Sequence, residues 1–147
     1  MLGLPGARGG PAGEYGWEGG PGARTGMHKV TEAAGGEVTA LIFGVGPDCL
    51  AGGGGPEAVP VRIADLDGVS IEPYEPPVMF AGDDAITRAH ALAVADRTLC
   101  VFLTWHPTTP AEDLAAAEDV LDTIRAVPVG EDHIRITFTL DTGWDTG

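Results

Sequence analysis

The stretch Arg97 to Trp105 constrains the fold more than any other part of the chain. Extended, it places Leu99, Val101, Leu103 and Trp105 on one face and Thr98, Cys100, Phe102 and Thr104 on the other. Both faces are at least half apolar, so the strand must be covered on two sides, which predicts a central position in a sheet. Thr87 to Ala95 precedes it as a partner strand, with Asp96 near the turn of the hairpin.

Met27 to Glu32 and Val38 to Val45 read as strands joined across Gly35-Gly36, and Val59 to Ala64 and Val69 to Tyr74 as a hairpin about Asp67-Gly68. Gly46 to Pro56 is rich in Gly and Pro and predicts an irregular loop. Pro73, Pro76 and Pro77 then stop the pleat, because proline cannot donate to a ladder. A helix is signalled by Thr109 as cap, Pro110 at the first helical position and Glu112 completing the capping box. Leu114, Ala117, Leu121 and Ile124 form its apolar stripe, and Pro128 ends it. Ile134, Ile136, Phe138 and Leu140 alternate with His133, Arg135, Thr137 and Thr139, a one-sided strand.

These elements predict an α+β fold, an antiparallel sheet of about six or seven strands with one amphipathic helix (about 110–126) packed on one face. Residues 1–26 hold Gly and Pro without a visible period and are expected to be a flexible arm. Residues 27–140 form the single expected α+β domain. Gly16-Trp17-Glu18 near the start and Gly143-Trp144-Asp145 at the end share a pattern, so 141–147 reads as a tail or as the start of a truncated repeat.

Charge narrows the partners. Eight basic residues against 22 acidic ones leave a net charge of −14, which repels polyanions and argues against nucleic acid. The apolar runs are far shorter than the roughly 18 residues that span a bilayer, so no membrane span is expected. The partner class that remains is an unknown small ligand or protein, and no cofactor motif is present; the glycines of Gly44 to Gly46 and Gly52 to Gly55 have no following Lys and helix to make a phosphate cradle.

The chain has two cysteines, Cys49 and Cys100, without the close spacing of a zinc or redox pair. They are expected to form a disulfide, which at this loop length stabilises by about 4 kcal/mol, and this implies an extracytoplasmic or secreted protein. Met1 to Gly10 shows no signal-peptide pattern, so the chain is either an excerpt of a longer one or cytoplasmic with two buried thiols.

Several constellations bear on chemistry. Leu140-Asp141-Thr142-Gly143 looks like the catalytic loop of retropepsin-type aspartic proteases, which implies Asp141 as general acid/base. The resemblance covers about seven residues, and Trp144 stands where a small residue belongs. Histidines 28, 90, 106 and 133 lie apart, so a zinc site requires convergence of separate strands. Asp65-Leu66-Asp67-Gly68 opens like a calcium loop but continues with Val69 and Pro76 where oxygen ligands belong, and reads as a turn. Cys49 lacks a neighbouring cation and is a poor nucleophile. Tyr74, Trp105 and His106 are the expected ligand-binding residues, aromatics at strand ends that can stack on sugars, peptides or proline-rich partners.

The layout of residues 59–127, with the strand, tight turn and strand of Ala93 to Pro107 before a late helix, resembles the Mog1/PsbP-like α+β domains of actinobacterial cell-envelope lipoproteins. The lipobox cysteine those lipoproteins carry near the start is missing. The resemblance implies a non-catalytic extracytoplasmic binding or structural module. The alternatives are a hydrolase, aspartic-type through Asp141 or zinc-dependent, and a cytoplasmic acidic protein-interaction domain.

Overall fold

In the computed structural model, which describes residues 12–30, 38–46, 57–75, 85–141 and 144–145, the doubly apolar stretch is strand β7 (Arg97–Trp105). The strands around it are β1 (Gly13–Gly19), β2 (Arg24–Val30), β3 (Val38–Val45), β4 (Val59–Ile63), β5 (Leu66–Ile71) and β6 (Ile86–Val94). Helix α1 (Ala111–Asp122), β8 (Arg125–Val129), β9 (His133–Leu140) and the two-residue β10 (Trp144–Asp145) follow. All pairings are antiparallel. The larger sheet runs β10-β2-β3-β7-β6-β5-β4, with β7 in the middle as its two apolar faces require.

A second sheet, β1-β9-β8, packs on one face of the first, so the molecule is largely a β fold, with two sheets where one was expected. The one-sided strand β9 supplies the reason. It lies at the centre of the small sheet and draws a partner from either side, one of them from the expected arm. Residues Gly13–Gly19 pair with it so that Tyr15 faces Phe138 and Trp17 faces Ile136. The period of two in β1 is carried by Tyr15 and Trp17 alone, with glycine between them.

The helix is shorter than expected at both ends. Thr109 does not cap it: its hydroxyl accepts the His106 N–H at 2.9 Å, and its own N–H donates to the His106 carbonyl at 3.0 Å. Pro110 is the N-cap, without a side-chain bond. At the other end the Thr123 hydroxyl donates to the Val120 carbonyl at 2.7 Å and accepts the Thr139 N–H at 2.8 Å. One side chain thus closes the helix and ties it to β9. The chain then turns into β8, where Pro128 sits on an edge strand that asks nothing of its missing N–H.

The β4–β5 turn is Ala64-Asp65, not Asp67-Gly68, since Ile63 pairs with Leu66. Gly68 is needed for a different reason: inside β5, a Cβ would overlap the Ala91 carbonyl of β6. The expected β6–β7 hairpin is present, with Val94 opposite Arg97 and Ala95 at φ 56° in its turn.

The main core lies between the sheets. Phe43 and Phe138 rings meet across it at 5.2 Å and Tyr15 stacks on Phe138 at 6.3 Å, with Leu41, Leu99, Val101, Ile134 and Ile136 fully buried around them. Arg97 fastens one end, donating to the carbonyls of Val129 (3.0 Å), His133 (2.5 Å) and Gly130 (2.8 Å) and so holding the β8–β9 turn against β7. On the far face of the larger sheet Tyr74, Ala89, Cys100 and Phe102 form a smaller cluster. No helix among the described residues is long and apolar enough to cross a membrane.

Two substitutions test these backbone assignments by urea denaturation. Gly68→Ala is expected to destabilise by about 1–3 kcal/mol through overpacking against β6. Ala95→Gly is expected to stabilise, by less than about 1 kcal/mol, because it relieves a left-handed backbone that favours glycine.

Candidate functional site

The expected ligand-binding residues are divided by the sheet. Trp105, at the end of β7, lies on the face that carries the main core and is only partly buried. Tyr74 belongs to the opposite face, 3% exposed, with its ring 5.6 Å from Phe102 and its N–H donating to the Thr87 carbonyl at 2.7 Å. Tyr74 is therefore a core residue here: beyond the end of β5 its N–H continues the pairing with β6, and its ring packs on Phe102. His106 begins the tight turn into the helix.

What accompanies Trp105 is Arg88 of β6, two residues along from its register partner Ile86. The Arg88 guanidinium lies 5.3 Å from the indole centroid and bonds Glu72 at 2.5 Å and Glu118 of α1 at 3.1 Å. Burial opposes its charge, but the two carboxylates outweigh that and raise its pKa. The result is a fixed cation on an aromatic ring, bracketed by acids from two elements. Alternation along β6 puts Arg88 on the same face as Leu92 and Val94, but no spacing rule could pair it with Glu118, thirty residues away.

His90 lies on that face too, opposite Ser70 on β5 and Val101 on β7. It is 4% exposed, and neither ring nitrogen has a hydrogen-bond partner. Burial, assisted by the Arg88 charge and opposed by Glu72, lowers its pKa to about 4.

A second polar cluster lies on the same face of the sheet, toward the edge formed by β2 and β10. Lys29 on β2 pairs in register with Thr39 and with Trp144. Its Nζ lies 3.0 Å from Asp141 Oδ2 and 5.7 Å from the centroid of the Trp144 ring, whose Nε1 donates to Asp141 Oδ1 at 2.5 Å. Asp113 of α1 is buried, with Oδ2 lacking a partner, and the Thr39 hydroxyl is likewise buried and unpartnered. Burial raises the Asp113 pKa, Lys29 opposes this, and Glu112 and Asp141 add to it. Asp141, the carboxylate that the sequence marks for acid/base chemistry, is thus bonded to both Lys29 and Trp144; Thr142 and Gly143 lie outside the described residues. The sequence signal for this cluster was present but unread: Lys29 is the only lysine.

Cys100 is wholly buried on β7, and among the described residues no cysteine is free; Cys49 lies outside them. Nor do the described residues group three His, Cys, Asp or Glu side chains in a way that could hold a metal ion.

The burial of His90 sets a pH dependence. Its folded pKa lies below the unfolded value of 6.5, so the unfolded chain takes up the proton first. The stability due to neutral His90 is complete above about pH 7 and is lost as pH falls from 6.5 toward 4. At about 1.4 kcal/mol per unit the loss is on the order of 3 kcal/mol. Urea midpoints across this range should fall for the wild type and fall less for His90→Leu. Comparison with family models, with characterised proteins and with solved structures finds no match to this chain.

Proposed function

We propose that the chain is a non-catalytic binding or structural module that works outside the reducing cytosol, and that its contact surface is the Trp105–Arg88 rim. The observation that carries this reading is the fixing of Arg88 on the indole by Glu72 and Glu118. A stacking surface held by two elements loses little side-chain freedom when a ligand arrives, which favours binding. The ligand class is an uncharged ring, a sugar or a proline side chain, laid against the exposed part of the ring. His106, next in the chain, lies at the margin of this surface. The engagement of Asp141 by Lys29 and Trp144 weighs against aspartic-type hydrolysis.

The extracytoplasmic address rests on a Cys49–Cys100 disulfide. Gly44 pairs in register with Cys100, and the Gly46 N–H donates to the Thr98 carbonyl at 3.1 Å. From Gly44 to Cys49 the chain can span up to about 17 Å, so Cys49 is within reach of Cys100.

Two measurements test the proposal. Thiol titration of the unreduced, denatured protein should find no thiol, and two after reduction; two before reduction would overturn the address. Tryptophan fluorescence against panels of oligosaccharides and proline-rich peptides should identify a binder whose affinity falls at least tenfold in Trp105→Ala. Binding that survives this substitution, or no binder in either panel, would overturn the proposed surface.

A further inference from the structure

We propose that Lys29 and Asp141 become joined by an intramolecular isopeptide bond, an amide between the lysine nitrogen and the aspartate side chain that locks β2 to the segment following β9. This inference is independent of the binding surface and of the disulfide.

The geometry holds each participant in place. The amine is 3.0 Å from Oδ2, while the indole N–H of Trp144 occupies Oδ1, so the carboxyl group presents one oxygen to the lysine and has the other polarised by a donor. The amine is also held against the Trp144 ring, and Trp144 is 1% exposed and paired in register with Lys29. Holding an amine and a carboxyl in such contact replaces a bimolecular encounter with an internal one, worth effective concentrations of roughly 10⁵ M or more. Other ion pairs of the structure, Arg62–Asp67, Arg88–Glu72 and Arg135–Glu18, present guanidinium groups, which are not nucleophiles. The one lysine of the chain stands in the pair that has a third carboxyl beside it.

That carboxyl is Asp113. It is buried, one oxygen is unpartnered, and it feels the charges of both Lys29 and Asp141. Burial raises the pKa of this carboxyl and so favours its protonated form, and a protonated carboxyl can accept a proton on one oxygen while giving one from the other.

The step balances as a dehydration. One ammonium proton crosses to Asp141 Oδ2, leaving a neutral amine beside a neutral acid. The nitrogen lone pair forms the bond to Asp141 Cγ, and charge gathers on Oδ1, where the Trp144 N–H meets it. Asp113 takes the second proton from nitrogen and delivers one to Oδ2. The Cγ–Oδ2 bond breaks, water leaves, and Oδ1 recovers its double bond. No oxidant, metal or cofactor is consumed, and Asp113 ends as it began. The Asp141 side chain is 55% exposed and lines an open groove between α1 and β9, which gives the water a way out.

Intact-mass spectrometry of the full chain, reduced and denatured, tests this. The wild type should weigh one water less than its sequence, and proteolysis should leave the fragments carrying Lys29 and Asp141 joined. Lys29→Arg, which keeps the ion pair but not the nucleophile, and Asp113→Asn, which keeps the shape but not the relay, should both show the full sequence mass. Wild type at full mass after prolonged incubation at neutral pH would overturn the proposal. So would a loss of water that persists in Lys29→Arg, since that marks a succinimide at Asp141. The joined fragments in the wild type decide the matter whether or not the variants fold.

Discussion

The contact of Phe138 with Phe43 and Tyr15 is the point on which the two-sheet architecture rests. A three-stranded sheet of short strands has one apolar face and no independent core, so it persists only by burying that face. Each large side chain removed from water there contributes about 1.5–3 kcal/mol, and β9 places four of them, Ile134, Ile136, Phe138 and Leu140, on the inner face. The polar fastenings come second: Arg97 on the carbonyls around the β8–β9 turn and Thr123 between α1 and β9 act at the margins of an interface that apolar burial creates.

That arrangement also explains where the chemistry-bearing groups lie. On the shared face of the larger sheet the centre is apolar and polar residues collect where the cover thins: Arg88 and Trp105 near the entry to the helix, Lys29 and Asp141 at the β2 edge. His90 and Asp113 are the exceptions. Each is buried without full hydrogen-bond satisfaction, which costs stability. The shifts they show have the same cause with opposite consequences: burial favours neutral His90 at high pH and neutral Asp113 at low pH.

Much of the strand pattern was legible in the letters. The β6–β7 hairpin, the centrality of β7 and the one-sidedness of β9 follow from a period of two carried by bulky residues. Strand β1 was not legible because its period is carried by two aromatics among glycines, which have no hydropathy to alternate. Strand β8 was hidden by Pro128, a helix stop that is equally at home on an edge. Of the expected contact residues, Trp105 is partly buried at the end of β7, whereas Tyr74, chosen for its place near a strand end, is buried against Phe102. That place says nothing about which side of the sheet the chain takes after Pro73.

Local periodicity and turn residues determined that this chain makes antiparallel strands and one helix. Which strands share a sheet, and which charged residues meet, was decided only by the tertiary structure. The reason is that alternation specifies a face but not its partner: Glu118 reaches Arg88 and Asp141 reaches Lys29 because two layers close on one another, and no interval along the sequence encodes that closure.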